Sequence, residues 1–220
     1  MDFKKLLRRN ETALIIAIVL LSVIIGAKSP EFYSLANLFD IFRSSFVQLL
    51  FALGVLVVII SGGIDVSFPV VGIFSGYSAV VLMKHFDWNP GNVMLPIALA
   101  VVIGVILGAL NSIAIASFGI PTLIATLGTS GIFRGIMLTF IGSSFISDIP
   151  AALDKFATAD LLKIQPAEGT LARLHVLIIP VVIITILVSL MLNRTMFGRS
   201  VYALGGGVEA TRRLGISIKR

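Results

Sequence analysis

Ser61-Gly62-Gly63-Ile64-Asp65-Val66-Ser67, followed by Phe68-Pro69, sets a carboxylate and two hydroxyls inside a run that is otherwise apolar from Phe46 to Met83. A carboxylate there can accept hydrogen bonds from a polar solute, bind a cation, or share a proton with a second acid. A charge held in bilayer hydrocarbon costs about 3 kcal/mol or more, so such a group lines a watery path or pairs with another group. The glycine pair and Pro69 also break the helical hydrogen-bond ladder, which in lipid survives only inside protein or beside water. The plainer alternative is a short surface loop joining two helices. Proton-sharing aspartyl chemistry needs a second carboxylate, and the apolar spans offer none besides Asp65. With no cysteine there is no thiolate nucleophile, thiolate metal site or disulfide. The two histidines, His85 and His175, fall beside expected membrane boundaries and read as interfacial residues rather than metal ligands.

Other polar residues interrupt apolar stretches further on. Asn111 lies in one, and Thr122, Thr126, Thr129, Ser130 and Arg134 lie in the next. Arg134 stands seven residues before Ile141, too far inside to reach water easily, so it is expected to face inward. It is the first candidate to hold Asp65, since an unpaired buried charge costs several kcal/mol. Tyr77, Phe74, Asn111 and Thr126 supply aromatic faces and polar groups of the kind that bind a small polar solute, and nothing in their spacing selects one solute over another.

Composition decides what kind of protein positions these residues. Hydrophobic residues make up 57% and charged residues 13%, against about 25% charged in a soluble domain. The apolar runs are continuous rather than alternating, which points to an all-α integral membrane protein and away from a β-barrel. The net charge is +6, and of 17 Lys and Arg, four lie in Lys4–Arg9 and six in Arg194–Arg220. Basic clusters at membrane edges mark cytoplasmic segments, so no nucleic-acid partner is implied.

In chain order, residues 1–12 read as a basic cytoplasmic N-terminus, 13–192 as a transmembrane domain and 193–220 as a cytoplasmic segment. Ala13–Ala27 has the length of a signal-peptide core, but Lys28-Ser29-Pro30-Glu31-Phe32 offers no small-residue cleavage site, so it is expected to stay as the first span. Glu31–Ser45 mixes aromatics with Asp40 and Arg43 and is expected to lie along the interface. Phe46–Ile60 and Val70–Met83 flank the glycine motif and are each roughly 21–23 Å long as helix. That is short of a hydrocarbon core of about 30 Å, and short, interrupted spans mark a transporter's substrate path. Val93–Ser117 is a full span in which Gly104 and Gly108 allow close helix approach. A span from Thr122 to about Ile141 follows, then the polar, slightly acidic stretch Ser143–Arg173, then His175–Leu192. About six crossings, or one re-entrant pair, put both basic ends on the same side.

The tail reads Phe197-Gly198-Arg199-Ser200-Val201-Tyr202-Ala203-Leu204-Gly205-Gly206-Gly207, with Glu209, Ala210, Arg212 and Arg213 next. Val208–Leu214 is expected as a short helix ended by Gly215. Such a helix, bracketed by glycines, suits docking into a groove on a cytoplasmic partner.

Three motifs together carry a resemblance: SGGIDVS at 61–67; Gly108-Ala109-Leu110-Asn111 through Ile120-Pro121-Thr122 and Thr126 to Arg134-Gly135; and GRSVYALGGG at 198–207 with Ala210, Arg212, Gly215 and Ile216. In this order, from about residue 35 to the end, the chain resembles permease subunits of ATP-binding-cassette importers for ribose and related monosaccharides, including the autoinducer-2 branch. It departs from them in having Gly207 where Asn is usual, Arg213-Leu214 for Leu-Ser, and Phe68-Pro69 for Val-Gly.

The resemblance implies a helical permease in the plasma (inner) membrane that forms a translocation path and does no covalent chemistry. Ser61, Gly62, Gly63, Asp65, Ser67, Asn111, Thr126 and Arg134 would line that path. Gly198, Arg199, Tyr202, Gly205, Gly206, Glu209, Ala210, Arg212, Gly215 and Ile216 would couple to an ATPase. Implied partners are a separate cytoplasmic ATPase subunit, an extracytoplasmic sugar-binding protein, and a second permease copy or paralogue. No cofactor is implied. Autoinducer-2 or another small polar solute is the alternative cargo, and a channel or scaffold the alternative class. Because the family's members continue with further spans, the chain is expected to be a fragment or truncated product.

Overall fold

The computed structural model describes residues 10–89, 91–166, 170–213 and 215, with the backbone alone at 10, 11 and 210. Lys4–Arg9, Glu168, Leu214 and Ile216 lie outside the described residues, as does the side chain of Ala210. The described chain is mostly helical: α1 (Asn10–Lys28), α2 (Leu35–Ile60), α3 (Phe68–His85), α4 (Met94–Ala116), α5 (Thr122–Ile136), α6 (Ala151–Ala157), α7 (Ile178–Arg194), α8 (Met196–Gly206) and α9 (Val208–Arg213). A single π-type turn, Met137–Ile141, prolongs α5.

Among the described residues, four helices are long and apolar enough to cross a membrane: α2, α3, α4 and α5 with its π turn. A fifth arises if α7 and α8, bent by 71° at Thr195, count as one span, while α1 from Thr12 is a shorter apolar helix. All six apolar runs are helical, yet by length and composition the count is four or five, so six crossings is not reached by that measure.

Two compact units share the chain, one of Met1–Ser45 with Asp160–Val176 and one of Phe46–Ala159 with Leu177–Arg220. In the first, Tyr33 folds back from a 3-10 turn (Pro30–Tyr33) so that its hydroxyl donates to the Ser22 carbonyl at 3.1 Å. Ser34 then starts α2, its Oγ accepting the Asn37 N–H at 3.1 Å. The expected interfacial helix over Glu31–Ser45 is therefore not a separate element. No breaker separates Leu35 from Ile60, and Ser44 and Ser45 donate back to the Ile41 carbonyl, so α2 runs on for 26 residues. At about 39 Å it is long rather than short for a span. The polar stretch also holds a β-hairpin, β1 (Asp160–Ile164) antiparallel to β2 (Ala172–His175), with Lys163 opposite Arg173. His175 ends β2 fully buried, at 2% exposure, so it is not the interfacial residue its position implied.

In the second unit α3, α4 and α5 pack around Phe74, Leu107 and Phe133, with Val70, Ile103 and Met137 against them. The rings of Phe74 and Phe133 meet edge to face at 6.4 Å. Gly104 opens room for Ser75, whose Oγ would lie 3.3 Å from a Cβ there, as the small-residue spacing anticipates; Gly108 faces open space. The helices alternate in direction. One end gathers the C-termini of α2 and α4, the N-termini of α3 and α5, and α8. The other holds Lys84, which meets the Asp148 carboxylate at 3.3 Å, and Tyr77, whose hydroxyl donates to the Ser144 carbonyl.

α3 stops in a tight C-terminal cap. The Trp88 N–H reaches the Met83 carbonyl at 2.8 Å and the Asp87 N–H reaches Lys84 at 3.3 Å, with Asp87 left-handed at φ 51°. That position favours glycine, because an L side chain is strained there. Asp87→Gly is therefore expected to stabilise the protein by about 1 kcal/mol in detergent unfolding. An unchanged or lowered midpoint would mean that the Asp87 carboxylate has a stabilising partner.

Candidate functional site

The glycine motif is a stop, a strap and a start. After Ile60 the Gly63 N–H bonds the Val58 carbonyl (3.1 Å) and the Gly62 N–H bonds Ile59 (2.9 Å), with Gly62 left-handed at φ 85°. This is the same cap that ends α3, built here on glycine. Ser61 turns its hydroxyl back to the Val58 carbonyl. Ser67 then precedes Phe68-Pro69, the N-terminus of α3, where a proline costs no helical hydrogen bond. The stretch is thus the short loop between two helices at the bundle end, neither a mid-span break nor a re-entrant pair.

The strap between cap and start has no regular secondary structure, and its backbone is tied to α5. The Ile64 N–H donates to Thr122 Oγ1 at 3.1 Å and the Val66 N–H to Thr126 Oγ1 at 3.3 Å. Two residues of extended chain rise about 6.6 Å and four of helix about 6 Å, so alternate strap amides match successive turns of α5. Thr126 is buried to 1% exposure, and its own proton lies between the Leu123 and Ile64 carbonyls. Gly63 fits closely beneath Thr122, whose Cγ2 would lie 3.3 Å from a Cβ.

Asp65 is held by its own loop rather than by Arg134. Its Oδ1 accepts both the backbone N–H and the hydroxyl of Ser67, each at 2.7 Å. The place at the N-terminus of α3 also favours its charge through the helix dipole. Ser67, fully buried, spends its only proton on Asp65 and so accepts from Asn111 Nδ2, again at 2.7 Å. That fixes the Asn111 amide and leaves its buried Oδ1 with no partner. Arg134 is exposed on α5, and among the described residues no salt bridge joins it to Asp65. The expected pair fails because neighbours two residues away supply the donors first.

Asp65, Ser67 and Asn111 form the polar end of a cleft of ≈ 670 Å³ between α2, α3 and α4. Phe51, Gly54, Gly72 and Ser75 line its apolar length. Asn111, Ser67 and Asp65 are thus brought together, with Thr126 bonded to the strap that carries Asp65. Phe74 is in the core, and Tyr77 lies at the opposite end, so neither joins them in one pocket.

The tail folds as two helices, not one. Thr195 starts α8, its Oγ1 accepting the Gly198 N–H at 3.1 Å. Gly198 lies so close to the end of α7 that a Cβ would overlap the Leu192 carbonyl. Gly198 and Val201 are buried, whereas Phe197, Arg199 and Tyr202 face outward. Gly207 makes the joint, α9 follows from Val208, and Gly215 ends it left-handed at φ 74°, as expected. Glu209 pairs with Arg212 at 3.9 Å, both exposed. Gly205 and Gly206 differ: a Cβ on Gly205 would overlap the Ile60 carbonyl oxygen, whereas Gly206 has open space. Proximity of Gly205 to the strap was not legible in sequence. Paired glycines after an apolar run, with Ser and Pro following, were a signal for the stop and start.

Residues 37–220 match the family described as branched-chain amino acid transport system / permease component. Among curated proteins, the chain is 31% identical to the autoinducer 2 import system permease protein LsrC of Enterobacter sp. (strain 638), over 99% of this chain and 59% of that protein. It is 34% identical to the LsrC of Klebsiella pneumoniae subsp. pneumoniae over the same shares, and 33% identical to that of Salmonella typhi over 94% and 56%. The chain thus spans little more than half the length of the curated relatives it matches. No solved structure matches.

Removing one partner of a buried hydrogen bond costs more than removing both. Ser67→Ala should therefore destabilise the protein by about 1–3 kcal/mol, because it strands Asn111 Nδ2 as well as Oδ1. Adding Asn111→Leu should recover part of that loss in the same unfolding assay. A double variant no better than Ser67→Ala would show that the two side chains are not coupled.

Proposed function

The chain belongs to the branched-chain amino acid transport system / permease component family, a family of multi-pass helical membrane proteins, and from this we propose that it is the permease part of an ATP-binding-cassette importer. It forms the path for a small polar solute of the ribose-like monosaccharide class. The supporting observation is spatial: the polar cluster Asp65, Ser67 and Asn111 opens into the cleft at the same end where Gly205, near the end of α8, touches the end of α2. A cluster of acceptors and hydroxyls at the mouth of an apolar cleft can hand a hydroxyl-rich solute between water and protein without leaving its hydrogen bonds unmet. Because it sits at a bundle end, it acts as a gate rather than as a midplane binding site.

ATP hydrolysis belongs to a separate cytoplasmic subunit. Its docking surface on this chain is the outward face of α8 and α9, with Arg199, Tyr202, Glu209 and Arg212. An extracytoplasmic binding protein delivers the solute, and a second permease copy or paralogue completes the path. Autoinducer-2 is the second reading for the cargo, favoured by the names of the curated relatives.

Residues 193–220 and the N-terminus lie in the cytoplasm. Arg194, Arg199, Arg212 and Arg213 belong to the tail, whereas Asp87 and Asp148 lie at the opposite end. The strap and the tail then face the inner side of the plasma membrane together.

Two measurements test this. Affinity-tagged protein is expected to co-purify a nucleotide-hydrolysing subunit from the native membrane, and recovery of the permease with no such partner would favour a channel or scaffold. In this cysteine-free chain, Ser147→Cys should react with a membrane-impermeant thiol reagent in intact cells and Ser200→Cys should not. The reverse pattern would overturn the orientation.

A further inference from the structure

Gly205 and the cap of α2, which leads into the strap, meet backbone to backbone. A Cβ on Gly205 would overlap the carbonyl oxygen of Ile60, the last residue of α2, and a Cβ on Gly62 would lie 3.5 Å from the Gly205 Cα. Two glycine motifs, more than 140 residues apart in sequence, therefore touch with no side chain between them. A contact of this kind is rigid: backbone atoms cannot rotate aside as a long side chain can, and packed interiors have no spare volume to absorb the shift. Gly206, one residue on, meets nothing within 4 Å of its Cβ position.

The contact lies three residues from Asp65. From Gly62 the strap runs to Ile64 and Val66, fastened to Thr122 and Thr126, and through Asp65 and Ser67 to Asn111 at the cleft. We propose that Gly205 is a positioning residue of this path: it seats the end of α8 on the strap, so that displacement of the tail moves the Asp65–Ser67–Asn111 cluster. Gly205 is thereby taken out of the docking surface. The face that meets a partner is Phe197, Arg199 and Tyr202, and the face that meets the strap is Gly205. This inference rests on the importer function proposed above for the source of the displacement, but the contact itself does not.

Ile64 is exposed on the strap and serves as the reporter position. In the otherwise cysteine-free chain held in nanodiscs, Gly205→Ala should raise the thiol-labelling rate of Ile64→Cys about tenfold, a typical size for coupling between two sites, while Gly206→Ala leaves it unchanged. Equal rates in both variants would overturn the link between tail and strap. With the ATPase bound, the labelling rate of Ile64→Cys should differ between nucleotide-free and ATP-bound protein, and Gly205→Ala should abolish that difference while ATP hydrolysis persists. Loss of uptake without loss of hydrolysis separates this role from simple misfolding. A bound, active ATPase with nucleotide-independent labelling would sink the inference alone. Failure of any ATPase to bind would instead sink the importer function and, with it, the source of displacement.

Discussion

Alternate amides of the strap meet hydroxyls one turn apart on a helix, and this match organises one end of the bundle. Backbone N–H groups at a membrane edge must find acceptors, because the alternative in a low-dielectric setting is the full cost of an unmet hydrogen bond. Water could serve them, but then the strap would be free. Thr122 and Thr126 accept from Ile64 and Val66 instead, and the near-equal rise of two extended and four helical residues lets both bonds form at once. With the strap fixed, Asp65 has one place to be, at the start of α3. Ser67 follows, and Asn111 of α4 closes the set. Three helices are joined by hydrogen bonds, none of which uses a full charge-to-charge pair.

Helix ends do as much here as helix interiors. α2 and α3 stop in the same backbone cap, one with Gly62 and one with Asp87 in the left-handed position. Glycine suits the first for its dihedral freedom alone, since a Cβ on Gly62 would meet Gly205 only at an ordinary contact distance of 3.5 Å. The second cap carries a side chain in the same left-handed position, at the cost of some strain. Elsewhere small residues keep the cleft open: Gly54, Gly72 and Gly108 line it where larger side chains would fill it. The tail repeats the logic, since Gly198 allows α8 to turn sharply off α7 and Thr195 caps its first turn. A 71° bend with a capped start makes α8 a body with two faces.

The unmet Oδ1 of Asn111 is the one buried cost among these hydrogen bonds that the structure leaves standing at the cleft. A buried acceptor without a donor sacrifices about 1–3 kcal/mol. The orientation is forced all the same, because Ser67 has a single proton and the Asp65 carboxylate takes it. The cluster is thus ordered outward from the charge, which sets Ser67 and, through it, Asn111.

Much of the framework was legible in the residues. Continuous apolar runs marked every long helix in order, Gly215 marked the end of α9, and three motifs in register carried the family. Helices are local, so hydropathy and breakers are enough to place them. Partner choice was not legible. Asp65 and Arg134 looked like a pair because they are the two charges deepest in apolar sequence, yet hydropathy has no information on which faces meet. Glu31–Ser45 looked separate because its composition changes, although nothing in it breaks the hydrogen-bond ladder of α2. Phe74 and Tyr77 looked like pocket residues and went to the core and to the far end. The strap on Thr122 and Thr126, Ser67 under Asn111, and Gly205 on Ile60 each join positions 44 to 145 residues apart. The sequence by itself determined the helices and where they stop; which of their ends touch was decided only when the bundle closed, because hydrogen bonds and close packing depend on distance in space.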